Sequence, residues 1–266
     1  FREEISPYFN ANPKKYISAL VSEDCWQATP GKVVDLVRNL GIAAGGTVME
    51  DCRVLEACRE GKYTSVLVQT HDKKYVEYRT EHFVNALGSG AGKLCDSMGI
   101  DAGLYPVRHQ AFITRRLPML GKHGTNLDML IDRQDYKGFS AVYGQQIAYT
   151  GQIIGCASPK LDAMRIDKNL KVNTKAFLEI VSEMFSEWIP DLAGVGIQAV
   201  WAGYYTEPRY IVDPELGLFV GMRGHGFMLS QYIARMYVDK LLGRPVPEYF
   251  EKLKLNGPGL SEKAFK

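Results

Sequence analysis

Two glycine-rich turns, each between an apolar run and a helical pattern, constrain the fold of this chain most strongly. The first lies in "VNALGSGAGKL" at 84–94 and the second in "LFVGMRGHGFMLSQYIARMYVDKLL" at 218–242. Glycine lets the backbone approach a ligand closely, and the unpaired N–H groups at a helix N-terminus favour an anion. Neither turn completes a GxGxxG fingerprint, because Lys93 occupies the last glycine position in the first turn. Each turn is therefore either a cofactor-binding loop or a plain strand-to-helix connection.

Hydrophobic periodicity predicts the elements around these turns. "ATPGKVVDLVRNLG" predicts a helix with Thr29 as its N-cap, Pro30 at its first position and Gly41 after its end. A second amphipathic helix is predicted in "VNTKAFLEIVSEMFSEWIP", and a third from about Phe227 to Leu242. Short β-rich runs predict strands near 47–50, 53–58, 63–70, 74–79 and 82–87, and more strands across 105–155, 196–206 and 217–222.

The composition favours a globular protein and argues against several other classes. Hydrophobic residues make up 46% of the 266 residues, enough for a sizeable core, and the net charge of +2 is spread along the chain. A nucleic-acid-binding protein would need clustered Lys and Arg, and a membrane span would need a longer apolar run than any present. The five cysteines lack metal-ligand spacing. We therefore predict no metal site, reduced thiols and a cytoplasmic location.

Five segments occur in an order that points to one family. They are "CRVLEACREGKYTSVLVQT" at 52–70, "VNALGSGAGKL" at 84–94, "YPVRHQ" at 105–110, "WAGYYTEP" at 201–208 and "GHGF" at 224–227. Together they resemble the FAD-dependent amino acid oxidase and dehydrogenase superfamily, which includes glycine oxidase, sarcosine oxidase and the dye-linked proline dehydrogenases. Each motif alone is weakly specific, whereas the ordered set, which spans nearly the whole chain, is more so.

The resemblance implies a fold that combines α/β and α+β parts: an incomplete FAD-binding domain and a substrate domain built on a large mixed or antiparallel sheet. It assigns 1–104 to the FAD-binding domain without its N-terminal unit, 105–198 to the substrate domain, 199–244 to the C-terminal part of the FAD-binding domain, and 245–266 to a tail. In the family the GxGxxG unit holds the FAD pyrophosphate. Because that fingerprint is absent and the chain starts at Phe1, we expect a missing N-terminal segment or a companion chain as a partner.

The resemblance also assigns residues to the cofactor. FAD is expected to bind noncovalently, because 201–206 contains no cysteine for covalent attachment. Val54 would hold the adenine side through its backbone, and Ala86 and Gly88 would line the flavin or its diphosphate. The flavin edge would be bound by Gly224, His225, Gly226, Phe227 and Met228. Their structural alternatives are a buried strand valine, tight turns and a solvated loop histidine.

The substrate side is less well marked. Tyr143 and Tyr205 are the candidates for gripping a substrate carboxylate, although Tyr204-Tyr205 stands where many members have Arg-Pro. Met228 likewise stands where sarcosine oxidase-like members carry lysine. His109, within "YPVRHQ", is expected on an exposed hairpin.

The resemblance implies oxidation of the C–N bond of a small amine or amino acid, of the sarcosine, glycine or proline type, with hydride transfer to FAD. The chain would then be an FAD-dependent amine or amino acid oxidase or dehydrogenase, with no obvious catalytic base. The alternative is a noncatalytic FAD-fold assembly or interaction protein, which the "WAGYY" segment also resembles.

Overall fold

The structure, a computed structural model, describes residues 12, 14–16, 19–22, 24–120, 127–134, 139–147, 150–159, 170, 174–190 and 194–259. Its helices are α1 (Pro30–Ala43), α2 (Ala91–Ser97), α3 (Thr174–Trp188) and α4 (Gly226–Leu241), with 3-10 turns at Gly88–Gly90 and Glu248–Leu253. Its strands are β1 (Arg53–Glu60), β2 (Tyr63–Gln69), β3 (Tyr75–Thr80), β4 (Tyr105–Thr114), β5 (Leu130–Asp132), β6 (Phe139–Ile147), β7 (Gln152–Pro159), β8 (Ile197–Glu207), β9 (Ile211–Asp213) and β10 (Leu218–Val220). This mixture of helices and antiparallel sheets confirms the expected fold class.

The chain forms two compact units. The first unit contains Pro106–Tyr204 and the described residues before Ser22, and the second contains Ser22–Tyr105 with Tyr205–Lys266. No helix among the described residues is long and apolar enough to cross a membrane.

In the part of the first unit that the structure describes, a five-stranded sheet packs with one long helix. The strand order is β5-β6-β7-β4-β8, and the β5–β6, β6–β7 and β4–β7 pairs are antiparallel. The apolar residues of α3 recur every three or four positions, so they share one face of the helix. That face, with Phe177, Ile180 and Met184, forms a core with Phe112 of β4 and Val142 of β6.

The second unit begins with the antiparallel meander β1-β2-β3. The β1–β2 hairpin turns at Gly61, whose φ of +64° favours glycine. Ala57, Val66 and Val68 form a small core with Leu94 of α2. This unit also contains the β9–β10 hairpin, whose Val212 packs with buried residues of α4 and with Phe250 of the C-terminal 3-10 turn.

Two of the expected strands are absent. Residues 47–50 form no strand, and 82–87 makes only an isolated bridge, between Asn85 and Leu218. The prediction of a strand at 82–87 was therefore wrong, because this apolar run is an extended connection beside β10. The helix predicted from Thr29 onward is confirmed as α1, but it continues through Gly41 to Ala43 instead of ending before Gly41, and none of its residues is buried.

Candidate functional site

The two glycine-rich turns leave the same edge of the second unit. The bridge between Asn85 and Leu218 is parallel, so both segments run from it in the same direction. It is made by the Asn85 N–H, which donates to the Gly217 carbonyl at 2.8 Å, and by the Phe219 N–H, which donates to the Asn85 carbonyl at 3.0 Å. The first turn starts at Gly88 and the second at Gly221, each three residues beyond the bridge.

Asn85 also shapes the first turn with its side chain. The residue is only 1% exposed, its Nδ2 donates to the Ala91 carbonyl at 3.0 Å, and its Oδ1 accepts from the Leu87 N–H at 3.2 Å. These bonds lead the chain into the 3-10 turn, where Gly88 has a φ of +54°. The sequence reasoning missed Asn85, although a polar residue inside an apolar run directly before a glycine turn was a signal.

Glycine is required at the start of the second turn. Gly221 has a φ of +72°, and a Cβ there would collide with the carbonyl oxygen of Arg209. Arg209 is itself fixed, since its guanidinium donates to the carbonyls of Gly257, at 3.0 Å, and of Leu255. Only glycine therefore fits where β10 passes into the turn.

Tyr205 lies against this second turn. A Cβ built on Gly224 would lie 2.7 Å from Cε2 of the Tyr205 ring, so the ring and the bare backbone are in direct contact. The structure thus brings together two residues that the sequence singled out separately.

The beginning of α4 presents unpaired backbone donors. The N–H groups of Gly226, Phe227 and Met228 have no hydrogen-bond partner among the described residues, and the first turn of α4 carries no acidic side chain. Phe227 and Met228 are exposed. A helix of 16 residues adds a positive dipole end at this point. The arrangement suits an acceptor-rich or anionic ligand atom.

His225 precedes α4 and is held by a tyrosine that the sequence reasoning missed. Its Nδ1 and the Tyr210 hydroxyl share a hydrogen bond of 2.5 Å. Burial, assisted by the positive charge of Arg223, lowers the pKa of His225, and burial raises the pKa of Tyr210. Both shifts favour the neutral forms, which suits a tyrosine donating to a neutral imidazole.

Next to this pair, Arg223 forms an ion pair with Glu207. The Arg223 Nε lies 2.5 Å from Glu207 Oε2, and both side chains are largely buried. Arg223 has a φ of +49°, which is uncommon for a residue with a side chain. Both residues lie in segments that the sequence singled out, but neither was assigned a role there.

The other residues assigned from the sequence lie elsewhere. Val54 is in β1 opposite Val68, and Ala86 is exposed ahead of the first turn. Tyr143 belongs to the first unit, in β6 opposite Cys156. Burial raises the pKa of the Cys156 thiol to about 11, and a hydrogen bond with Tyr143 opposes this shift.

His109 was wrongly expected on an exposed hairpin. It lies in β4 and is 8% exposed, and burial lowers its pKa to about 4. Among the described residues there is also no group of three or more His, Cys, Asp or Glu side chains that could hold a metal ion.

Comparisons with known proteins agree with this architecture. The family model described as FAD dependent oxidoreductase matches residues 2–240. Among solved structures, the L-proline dehydrogenase from P. horikoshii matches with a TM-score of 0.64 and 23% identity, over 85% of this chain and 59% of that one. The glycine oxidase from Geobacillus kaustophilus matches with a TM-score of 0.61 and 18% identity, over 81% of this chain and 54% of that one.

The iminodiacetate oxidase from Chelativorans sp. BNC1 matches with a TM-score of 0.62 and 14% identity, over 86% of this chain and 58% of that one. The chain thus spans less than two thirds of the length of each of these structures. None of the curated proteins matches it.

Proposed function

The chain belongs to the FAD-dependent oxidoreductase family, and from that membership we propose that it oxidises the C–N bond of a small amine or amino acid. When bound, FAD would supply the hydride acceptor for this oxidation. One observation carries the proposal: two glycine turns share an edge, and the second presents three unpaired N–H groups beside the Tyr205 ring.

The residues at this edge fit a flavin. Gly224 leaves its backbone bare, and the N–H groups of Gly226, Phe227 and Met228 are available as donors. They would bind the pyrimidine edge, where a reduced flavin carries negative charge that a helix N-terminus stabilises. On the proposed assignment, Ala86 and Gly88 line the flavin or its diphosphate, and Val54 holds the adenine side. No cysteine occurs in 201–206, which supports noncovalent binding.

The side chains next to the turn suit the orientation of a substrate. Tyr205 is proposed to donate its hydroxyl to a substrate carboxylate, and Tyr143 remains a candidate for the same role on the sequence resemblance alone. With Tyr210 donating to Nδ1, the His225 imidazole keeps its proton on Nε2 and can serve as a further donor. None of these groups is proposed as a base, because an amine that arrives neutral can lose hydride without one.

The diphosphate end of FAD needs more than these residues. The sequence holds no GxGxxG fingerprint, and the chain spans 59% of the proline dehydrogenase structure that it matches. We propose that a GxGxxG-containing segment, in the same polypeptide or in a companion chain, supplies the backbone donors for the pyrophosphate. A cytoplasmic location is proposed from the sparse cysteine content alone.

Flavin spectroscopy of the protein together with its GxGxxG segment tests this function. We expect flavin absorbance, release of all flavin into the supernatant on acid precipitation, and bleaching when a small amino acid or amine is added without oxygen. Flavin that stays on the precipitated chain contradicts noncovalent binding. Flavin that no amine bleaches contradicts the enzyme and favours the noncatalytic alternative.

A glycine substitution tests whether the flavin binds at the second turn. Gly226→Val should abolish flavin retention, because a Cβ there already lies 3.0 Å from Met222 Cβ and the branched side chain would occupy the turn. Gly226 has no positive φ, so the effect would be one of space and not of backbone strain. Flavin content equal to that of the unsubstituted protein would contradict flavin binding at this turn.

A further inference from the structure

A cavity opens in the second unit away from the two glycine-rich turns. Its volume is about 250 Å³, and its walls come from the β1–β2 hairpin, the 81–84 segment, the start of the β9–β10 turn and α4. None of its residues belongs to the two glycine turns or to the proposed flavin edge. The volume is below the roughly 300–1,000 Å³ typical of drug-sized ligand sites, so an occupant must be small.

Two buried hydroxyl-bearing residues line this cavity. Tyr237 is 5% exposed and Thr64 is buried to the same extent, and neither hydroxyl has a hydrogen-bond partner among the described residues. The Tyr237 ring is fixed by an edge contact with Phe219, at a centroid distance of 6.0 Å. Both residues are buried, but neither hydroxyl oxygen is among the buried polar atoms that lack a partner, so solvent in the cavity reaches both oxygens and a ligand there can bind them.

The charges around the cavity leave one cation without a counter-ion. Lys62 pairs with Glu81 at 2.8 Å, and Glu215 pairs with Lys254 at 2.8 Å. Arg59 bonds only to the backbone carbonyl of Glu215 and forms no ion pair among the described residues. It is also close enough to Tyr237 to oppose the rise in pKa that burial and Asp213 cause there.

Asp213 is the acidic group behind Tyr237, and it does not line the cavity. Its Oδ1 accepts the N–H groups of Glu215 and Leu216 at 3.1 and 3.2 Å, and its Oδ2 accepts that of Leu255 at 3.4 Å. Its charge is therefore engaged by the backbone, and the guanidinium remains the cation for an incoming ligand.

We propose that this cavity is a binding site for a small organic carboxylate. Arg59 pairs with the carboxylate group, and the hydroxyls of Tyr237 and Thr64 bind its oxygens or a neighbouring carbonyl. Phe83, Val84 and Leu241 provide an apolar wall for the carbon skeleton. The site stands independently of the proposed reaction. If amino acid oxidation occurs, its hydrolysed product, a 2-oxo acid, belongs to this ligand class.

Calorimetric titration of the protein with pyruvate and 2-oxobutyrate tests the site, with inorganic phosphate as the comparison anion. The titration needs neither flavin nor turnover, so its result is separate from that of the proposed function. We expect saturable binding of the 2-oxo acids and at least tenfold weaker binding of phosphate, which cannot use the apolar wall. Arg59→Gln and Tyr237→Phe should each weaken 2-oxo acid binding about tenfold or more, since bonds to charged groups are the strong ones.

Arg235→Gln is the matched control, because it removes one positive charge from α4 outside the cavity and breaks only an exposed pair with Asp239. It should leave binding unchanged. Tyr237→Phe removes one oxygen and retains the ring contact, so its melting temperature reports whether the fold persists. No saturable binding, phosphate binding as tight as that of 2-oxo acids, or equal loss in all three folded variants would each overturn the proposal.

Discussion

The helices α1 and α3 share an amphipathic sequence pattern, but their apolar faces lie in opposite environments. Both are amphipathic, with 14 and 15 residues. In α3 the apolar face is sealed, and Phe177 and Met184 are fully buried. In α1 no residue is buried, and Leu36 and Leu40 are 58% and 60% exposed.

The difference shows that periodicity predicts a helix but not what covers it. An isolated helix of this length is marginal in water, because nucleation is costly and most helix stability comes from packing of the apolar face. The α3 face has the five-stranded sheet as its partner. The α1 face therefore needs a surface that none of the described residues supplies, which supports the proposed GxGxxG-containing partner.

The largest expected effect compares the two faces directly. Phe177→Ala in α3 should lower the free energy of unfolding by about 3–5 kcal/mol, because it removes a fully buried ring and leaves a cavity. Leu40→Ala in α1 should change it by less than about 0.5 kcal/mol, as is usual for exposed positions. Denaturant unfolding of both variants measures this. Similar losses in the two helices would mean that α1 is covered by this chain itself.

Acid should destabilise the first unit, which contains α3 and the five-stranded sheet, through His109 of β4. His109 is neutral when folded, because burial lowers its pKa to about 4, and the unfolded state has the usual value of 6.5. Since the unfolded state then binds the extra proton, stability should be full above pH 6.5 and fall by about 3 kcal/mol as the pH drops to 4. His109→Gln should flatten this slope, which pH-dependent unfolding of the variant and of the unsubstituted protein measures. Identical slopes in the two proteins would contradict the burial of His109.

Local patterns were sufficient for much of the fold. The helices α1 and α3 and the β1–β3 meander follow from periodicity, because each of these side-chain patterns is complete within a single helix or strand. The prediction of a strand at 82–87 failed because the run is apolar, whereas among the described residues it makes a single bridge, from Asn85 to Leu218, far away in sequence. A strand pattern also could not tell that His109 would be buried.

The candidate site was predictable only in part, for the same reason. Tyr205 and Gly224 were both singled out, but their contact joins residues 19 positions apart and no spacing rule encodes it. Tyr210 and Arg223 were missed because their partners, His225 and Glu207, are met only after the chain folds back. The glycine turns can be predicted from the sequence, whereas the side chains that pack around them are determined by tertiary contacts.

An intermediate effect tests what covers α1. Leu36→Glu should weaken association with a polypeptide carrying the GxGxxG segment at least tenfold, because burying a leucine is worth about 1.5–3 kcal/mol and a charge opposes it. Asn39→Glu adds the same charge to the same helix and should have little effect. FAD titration followed by fluorescence and light scattering reports assembly. Tight stoichiometric FAD binding by the 266-residue chain alone, as a monodisperse species, would show that no such partner is needed.

The smallest expected effect concerns the start of α1. Thr29 occupies the N-cap position, as the sequence predicts, but its side chain makes no capping hydrogen bond. Thr29→Ala should therefore cost only a few tenths of a kcal/mol, below the roughly 1 kcal/mol of a working cap. Pro30 stands in the first turn of the helix and has no N–H group, so one donor fewer needs a capping partner there. Thermal unfolding of the chain alone and with the GxGxxG-containing partner separates two cases. A loss of about 1 kcal/mol that arises only in the assembled protein would show that the partner orders the cap together with the apolar face of α1, whereas that loss in the chain alone would contradict the uncapped geometry.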